Sequence, residues 1–358
     1  MTESANDDCC AIECTEVLKA LMAITSDTYR VDSIRAKDGT EIPLRVFEGG
    51  SGTPVVMLHG LYSHSGWFMQ SAAFLASHGC PVYSFDRRGW GLSRESRGHA
   101  WSFRDLLDEI DAVVNHAMNV HAVGKKAGRA YFEGEKSPSS IFPPQTPVAR
   151  RELRHVHSST KSNPEISLKN IGPTCLFPEG RVHLLGHCLG ALPAIVFACD
   201  NPGKVASLIL STPGIYTHVA LPLLRKAQIV TVGALGSKSP IPLRPEPEVL
   251  ADLEIHRQFI ATDSLAVHNV TASFCFCVFA ARLFLRWRVR RLHVPTFVAL
   301  AGKDTLSDNP RTAAFLRRSP AEKRIVTYPE ATHILEYSVE KDRYFADLAD
   351  WIRRGSPD

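Results

Sequence analysis

Short apolar runs alternate with amphipathic helical patterns along most of this chain of 358 residues. The runs contain five or six residues and are bounded by Gly and Pro, a pattern typical of buried parallel strands. Strands that alternate with helices in this way predict an open α/β sheet with helices on both faces. The predicted strands are Pro54–Leu58, Pro81–Phe85, Arg181–Leu185, Val205–Leu210, Thr296–Ala301 and Arg324–Tyr328.

Helical patterns fill the intervals between these runs. Ahead of the first run, Val31–Phe47 contains Asp38–Gly39 between two alternating stretches, which predicts a hairpin. The predicted helices are Ser65–His78, Ser102–Asn119, Leu189–Cys199, Pro310–Arg318 and Glu340–Arg354.

Residues 122–179 interrupt the alternation. They are rich in Ser, Pro, Arg and Lys and show no apolar period, so we expect a poorly ordered insertion. Nine basic and five acidic residues give this stretch a charge of +4, which equals the formal net charge of the whole chain. A solvated insertion is the favoured interpretation, and contact with an anionic partner such as a membrane surface is the alternative.

Residues 215–293 form the second interruption and are expected to be a helical cap over the end of the sheet. Within them, Pro240–Pro245 is expected to be a hinge, and Thr271–Leu285 is apolar on most faces and followed by arginines. This helix either lines an acyl pocket or a lipid interface, or packs on the core. The catalytic core is expected to comprise residues 31–121, 180–214 and 294–354, after an N-terminal segment, 1–30, of uncertain order.

Composition excludes several classes of protein. With 44% hydrophobic and 22% charged residues the chain is typical of soluble globular proteins, and a net charge of +4 is too small to suggest a nucleic-acid partner. Nine cysteines without Cys-x-x-Cys spacing or a secretory leader indicate a reducing, cytoplasmic setting. The apolar run Phe274–Ala281 is far short of the about 20 residues that a membrane span needs.

We expect Cys275 and Cys277 to pack in a helix rather than to bind a metal.

The candidate chemistry centres on the sequence Gly186-His187-Cys188-Leu189-Gly190, which follows a predicted strand and opens a predicted helix. Two glycines around a central residue in this context are typical of a nucleophile elbow, here with Cys in the position of Ser. The glycines allow the strand and the helix to approach closely. The start of the helix also favours a thiolate at Cys188.

Two later residues supply a base and an orienting acid. Asp304 follows a predicted strand 116 residues after Cys188, and His333 follows the last strand 29 residues beyond Asp304. The order nucleophile, acid, histidine is one of the known chain orders of a catalytic triad. Asp308 is an alternative acid that fits the strand end less well.

An oxyanion hole is predicted at the first buried strand, which leads into His59-Gly60-Leu61. The backbone N–H of Leu61 is expected to join that of Leu189 in binding a developing negative charge. His59 is expected to be structural and, with Gly60, to hold this loop.

Together these motifs resemble the α/β-hydrolase family, in particular its monoacylglycerol lipase and lysophospholipase branch. The resemblance covers residues 31 to 354 apart from the basic insertion. It implies an eight-stranded, mostly parallel sheet flanked by helices, a helical cap after the sixth strand, no cofactor and hydrolysis of carboxylic esters. Carried over by position, Cys188 would be the nucleophile, His333 the base, Asp304 its orienter, and Asp86 a residue that shapes the loop beside the site. The matching stretches are His59–Ser65, Phe85–Ser93, the elbow, Gly302–Asp304 and Thr332–His333.

Cys188 departs from this resemblance, because most members of the branch have Ser there. Some relatives, such as dienelactone hydrolases and polyhydroxyalkanoate synthases, use Cys in this place. The primary expectation is therefore hydrolysis of an acylglycerol-like or lysophospholipid-like ester through a thioester acyl-enzyme. An acyltransferase or thioesterase with the same nucleophile and a non-catalytic ligand-binding homologue remain as alternatives. The expected partner is a small-molecule acyl ester, with weak membrane-surface contact through the cap or the insertion left open, as is the oligomeric state.

Overall fold

The computed structural model describes residues 29–132, 180–218 and 222–354. The N-terminal residues 1–28, with Cys9, Cys10 and Cys14, and most of the predicted basic insertion, residues 133–179, therefore lie outside the described residues.

Ten strands occur in the described part of the chain, eight of them in one sheet. The order in that sheet is β1-β2-β4-β3-β5-β6-β9-β10. Strand β2 is antiparallel to both of its neighbours, and all the remaining pairs of neighbouring strands are parallel. Strands β7 and β8 form a separate antiparallel ribbon. The strands are β1 (Tyr29–Arg35), β2 (Glu41–Phe47), β3 (Val55–Leu58), β4 (Val82–Phe85), β5 (Val182–His187), β6 (Val205–Ser211), β7 (Pro240–Pro242), β8 (Asn269–Thr271), β9 (Thr296–Ala301) and β10 (Lys323–Tyr328).

Helices cover both faces of the large sheet. Those described are α1 (Met69–Ser77), α2 (Phe103–Phe132), α3 (Ala191–Asp200), α4 (Leu223–Ala234), α5 (Pro247–Leu250), α6 (Glu254–Thr262), α7 (Ala272–Arg288), α8 (Asn309–Leu316) and α9 (Lys341–Arg354). Helix α2 begins with a capping box, because Ser102 Oγ accepts from the Asp105 N–H and the Asp105 carboxylate accepts from the Ser102 N–H.

The central strands supply side chains to two cores at once. Successive side chains of a strand point to opposite faces, so Leu184 and Leu208 pack with helices α2, α3 and α7, whereas Leu185 and Ile209 pack with α1 and α9. All four leucine and isoleucine side chains are fully buried. This double burial explains why the sequence shows nearly continuous apolar runs at these strands.

Between β6 and β9 the chain forms helices α4 to α7 and the ribbon β7–β8. Asp263, directly after α6, joins this cap to the core, because its Oδ2 accepts from Trp67 Nε1 at 2.6 Å and lies 3.0 Å from His64 Nε2. The expected proline hinge is a strand here: Pro240–Pro242 is β7 and is paired with β8, which fixes the chain that follows.

The predicted α/β fold, with its hairpin, its mostly parallel eight-stranded sheet and a helical cap after the sixth strand, is confirmed. One helix is longer than predicted: α2 continues to Phe132 instead of ending at Asn119, so residues 122–132 are helical rather than part of an irregular insertion. Alanine, lysine and arginine in this stretch are good helix formers, and they carry the helix onward without an apolar period. In the described part of the chain, no helix is long and apolar enough to cross a bilayer.

Candidate active site

Cys188 occupies a strained turn between β5 and α3. Its φ angle is +49°, in the left-handed region that side chains with a Cβ rarely adopt. A Cβ at Gly186 would lie 2.8 Å from the Ala191 backbone, and one at Gly190 would lie 2.6 Å from the His59 carbonyl oxygen. Only glycine therefore fits two residues before and two residues after Cys188, and the half-buried thiol lies directly after the end of β5.

His333 lies beside this thiol and is bound by Asp304. His333 Nδ1 is 2.8 Å from Asp304 Oδ2, and both side chains are buried. The other carboxylate oxygen of Asp304 accepts from the N–H groups of Leu306 and Ser307 at 2.9 and 3.0 Å. Asp304 is thus held at both oxygens, which fixes the His333 ring and leaves its Nε2 on the side away from Asp304.

Asp308, the alternative acid, caps a helix. Asp308 is the N-cap of α8, and its side chain accepts from the Arg311 N–H at 3.0 Å. Of the two aspartates, Asp304 is the one the structure brings to His333.

Charges in the site favour an ion pair. Burial opposes ionisation of the Cys188 thiol, but the neighbouring His333 outweighs burial and lowers the pKa of Cys188 below its usual value. Burial likewise disfavours the imidazolium, whereas Cys188 and Asp304 together raise the pKa of His333 well above its usual range. Burial opposes ionisation of Asp304, but the charge of His333 and the hydrogen bonds from His333, Ser307 and Leu306 together lower its pKa. A thiolate facing an imidazolium is the state that these shifts favour.

The backbone N–H groups of Leu61 and Leu189, the predicted oxyanion donors, lie next to Cys188. The N–H of Leu61 is directed at the Cys188 thiol. The carbonyl of Leu61 accepts from Trp90 Nε1 at 2.6 Å, which turns that carbonyl away from the site. Leu189 lies in the 3₁₀ turn Cys188–Gly190, at the start of which N–H groups have no acceptor within the turn.

His59 supports the oxyanion loop and is uncharged. Its Nδ1–H donates to the Gly60 carbonyl at 2.9 Å, and its Nε2 accepts from the Arg87 N–H at 3.2 Å. Burial and the charge of Arg87 hold the pKa of His59 well below its ordinary value. These two hydrogen bonds tie the His59 ring to Gly60 and to the backbone of Arg87.

Asp86 connects three segments around the site. Its fully buried carboxylate accepts from the Ser65 N–H at 2.7 Å, the Leu92 N–H at 2.9 Å and Arg45 Nη1 at 3.0 Å. A Cβ at Gly91, where φ is +51°, would lie 2.3 Å from this carboxylate. The loop is thus wrapped tightly around a charged anchor.

Two arginines near Cys188 were not singled out from the sequence. Arg87 is buried, stacks on Trp90 with 4.6 Å between the guanidinium carbon and the ring centroid, and donates to the Gly60 carbonyl. Arg282 Nη2 donates to the Gly214 carbonyl at 3.0 Å, and the Gly214 N–H donates to the Cys188 carbonyl at 2.9 Å. Burial lowers the pKa of Arg282, while the charge of Cys188 acts in the opposite direction. The signal for Arg282 was in the sequence, because it interrupts the apolar helix Thr271–Leu285.

The thiol opens onto a cavity of about 310 Å³. His187 lines it as a neutral ring stacked on Phe68 at 3.7 Å, since burial, with the charge of His333, lowers the pKa of His187 to about 3. Thr212, directly after β6, also lines the cavity. Like Cys188, it has a positive φ angle, and these two are the non-glycine residues of the described ranges that do. The wall is completed by Gly60, Leu61, Tyr62, Ser63, Trp67, Phe68, Ser211, Thr217, Pro242, Leu243, Arg244, Pro245, Leu250, Leu306, His333, Ile334 and Leu335. The cavity is mainly apolar and suits a hydrophobic acyl group.

Within the described ranges, no group of three or more His, Cys, Asp or Glu side chains could hold a metal ion. Cys275 and Cys277 lie on α7, where burial raises the pKa of each thiol to about 11. Cys277 Sγ is 3.5 Å from the Trp101 carbonyl oxygen, a packing contact with the core.

Similar proteins were found at the level of family, sequence and structure. The family described as Hydrolase_4, serine aminopeptidase S33, matches residues 52–127 and 175–341. A monoglyceride lipase homolog of Monkeypox virus is 21% identical over 301 residues, which cover 83% of this chain and 88% of the viral protein.

Two solved structures share the fold. The monoacylglycerol lipase of Paleococcus ferrophilus superposes with a TM-score of 0.65 at 18% identity, covering 88% of this chain and 99% of its own. A soluble variant of monoglyceride lipase from Saccharomyces cerevisiae, in complex with a substrate analog, gives a TM-score of 0.65 at 16% identity, covering 92% of this chain and 97% of its own. The resemblance drawn from the sequence motifs is confirmed. Because the family match includes more than half of the chain and every strand that carries the candidate site, the chain belongs to the Hydrolase_4 (serine aminopeptidase S33) family of α/β-hydrolases.

Proposed function

We propose that this α/β-hydrolase of the monoglyceride lipase and esterase type cleaves carboxylic esters through a covalent acyl-enzyme on Cys188. One observation carries the proposal: a histidine fixed by a buried aspartate at 2.8 Å lies beside a cysteine on a strained elbow, at the wall of an apolar cavity. Each part alone has a structural explanation, but their convergence on one cavity is typical of a nucleophilic hydrolase.

The reaction begins when the Cys188 thiolate attacks the ester carbonyl carbon. The carbonyl oxygen becomes an oxyanion that accepts from the N–H groups of Leu61 and Leu189. As the C–O bond to the alcohol breaks, His333 gives its Nε2 proton to the leaving oxygen, and a thioester to Cys188 remains. Water then loses a proton to His333 and attacks the thioester carbon. Collapse of this second intermediate releases the acid and regenerates the thiolate and imidazolium.

The proposed substrate is a small-molecule ester with an aliphatic acyl chain, of the acylglycerol or lysophospholipid type. The apolar cavity and the names of the relatives, which include monoglyceride lipases, support this choice. The mechanism requires no cofactor, because the thiolate, the imidazole and two backbone N–H groups supply every proton and charge that it uses.

Acyl transfer is the second candidate, and the identity of the nucleophile favours it. A thioester on Cys188 passes its acyl group readily to a thiol or an alcohol as well as to water. Product analysis with added glycerol or a small thiol separates the two. A hydrolase releases mostly free acid, whereas an acyltransferase gives mostly the transferred ester or thioester.

The experiment that tests the proposal is turnover of a p-nitrophenyl ester in excess. We expect a burst followed by steady turnover in the wild type, and loss of both in Cys188→Ala and His333→Ala. Folded Cys188→Ser is the matched control and should keep some activity, because the elbow, base and oxyanion donors also suit a serine. Absence of turnover in the wild type across several esters would instead favour a non-catalytic binding protein.

We also propose a reducing, cytoplasmic setting, which keeps a reactive thiol from oxidation. Weak contact with a membrane surface is proposed at the outer side of α7. Phe279, Leu283 and Trp287 are spaced four residues apart there and are 50%, 51% and 75% exposed, with the exposed Arg286 beside them. An apolar stripe with a basic border suits an anionic lipid surface.

A further inference from the structure

The active-site cavity contains a single arginine. Apart from Cys188 and the catalytic His333, Arg244 is the only formally charged side chain among the residues that line it. The other histidine in the wall is His187, which is neutral at physiological pH because burial lowers its pKa to about 3. Arg244 therefore provides the one positive charge on the cap side of a mainly apolar space.

Arg244 is held in place by its backbone and not by its side chain. It follows β7, and the preceding residue, Leu243, donates from its N–H to the His268 carbonyl at 2.7 Å. Pro242 and Pro245 restrict the backbone on either side. Across residues 29–132, 180–218 and 222–354, no hydrogen bond or ion pair engages the exposed guanidinium of Arg244. The guanidinium is consequently free to meet a ligand.

Two other arginines of the cap have partners within the protein. Arg257 lies 3.7 Å from Glu254 and donates to the Ala251 carbonyl, and Arg225 donates to Gln228 at 2.9 Å. An unengaged guanidinium at the edge of an apolar cavity is suited to bind a carboxylate or phosphate through two parallel hydrogen bonds. The apolar residues beside it reduce screening by water on the cavity side.

We propose that Arg244 forms an anion subsite of this active site, so that the preferred substrates are acyl esters that also carry a phosphate or carboxylate. This inference rests on the proposed esterase function and makes its substrate class specific. The anion belongs either to the alcohol part, as in a monoacylglycerol phosphate, or to the far end of the acyl part, as in a dicarboxylic acid monoester. Both share the chemistry that a guanidinium recognises.

Two pairs of substrates test the subsite and distinguish the two sources. The first pair is octanoylglycerol and octanoylglycerol phosphate, and the second is the p-nitrophenyl monoesters of pentanoic and glutaric acid. For each pair, the measured quantity is kcat/KM of the anionic substrate divided by kcat/KM of the neutral one. We expect Arg244→Gln to lower this ratio about tenfold for one of the pairs. Added salt should lower the same ratio in the wild type. Arg225→Gln, which removes a cap charge away from the cavity, is the control and should leave both ratios within twofold.

The pair that responds identifies the source of the anion. Ratios in Arg244→Gln that equal the wild-type ratios for both pairs would overturn the subsite. Binding of octanoylglycerol phosphate and of glutaric acid to Cys188→Ala, measured by calorimetry with and without Arg244→Gln, needs no turnover. If no ester is hydrolysed but Arg244→Gln weakens this binding about tenfold, the esterase proposal fails while the subsite stands. If neither anion binds, the subsite fails.

Discussion

Asp86 offers a quantitative test of how the loops around the site are held. Its carboxylate is fully buried and accepts three hydrogen bonds, from Ser65, from Leu92 and from the guanidinium of Arg45. Asp86→Asn keeps the shape of the side chain but removes the charge. It also replaces one acceptor oxygen with a donor and leaves Arg45 buried without a counter-ion.

The pKa of Asp86 sets the expected size of the effect. Burial alone would raise it, but the charge of Arg45, the largest opposing cause, lowers the pKa from 3.8 to about 2. Such a decrease corresponds to about 2.5 kcal/mol of stability from the ionised form. Because the folded-state pKa lies below the unfolded one, this stability is complete above pH 4 and is lost as the pH falls towards 2. At pH 7 we expect Asp86→Asn to lower the free energy of unfolding by about 3 kcal/mol, since an unpaired buried arginine adds to the loss.

Urea unfolding at pH 7, followed by tryptophan fluorescence, measures this difference. Arg45→Met is the matched partner, and the double variant Arg45→Met/Asp86→Asn completes a thermodynamic cycle. We expect the double variant to be more stable than the sum of the single losses predicts, by at least about 1 kcal/mol, because neither charge is then left alone. A loss below about 1 kcal/mol in Asp86→Asn, or strictly additive losses, would show that the Arg45–Asp86 pair does not hold these loops.

Three further predictions concern the site and its surroundings. Arg282→Gln is expected to raise the pH midpoint of iodoacetamide alkylation of Cys188 by about one pH unit, because a nearby positive charge is lost; an unchanged midpoint contradicts this. Asp304→Asn should lower kcat about 10³-fold by misdirecting the histidine tautomer, whereas Asp308→Asn, at a helix cap, should leave kcat within a few fold; equal losses would show that the acid is misassigned. Trp287→Ser should weaken cosedimentation with anionic vesicles several-fold, since apolar area no longer enters the lipid; identical binding rules out α7 as the contact.

Much of the fold could be predicted from the sequence, because its strands are buried on both faces. Strands such as β5 and β6 show as short apolar runs for that reason, and the turns between them are marked by Gly and Pro. The elbow was equally visible, since both Gly186 and Gly190 lie where any Cβ would meet backbone atoms. Local steric demands of this kind leave a signature in a few adjacent residues.

Contacts between distant segments left no such signature. Arg282 is 94 residues from Cys188 in sequence, and only the packing of α7 against the end of the sheet brings its guanidinium to the Gly214 carbonyl. The place of Arg244 in the cavity wall likewise depends on the pairing of β7 with β8, where proline content had indicated a hinge. The end of α2 was missed because residues 122–132 are helical without an apolar period, the signal on which helix prediction depends.

Intact-mass analysis identifies the residue that forms the acyl-enzyme. The wild-type protein is quenched in acid within the burst phase of a reaction with short-chain p-nitrophenyl esters, and peptide mapping locates any acyl group. We expect a mass increase of one acyl group on Cys188 that disappears with time, and no increase in Cys188→Ala. An acyl group on another residue, or undiminished ester hydrolysis by Cys188→Ala, would contradict this expectation.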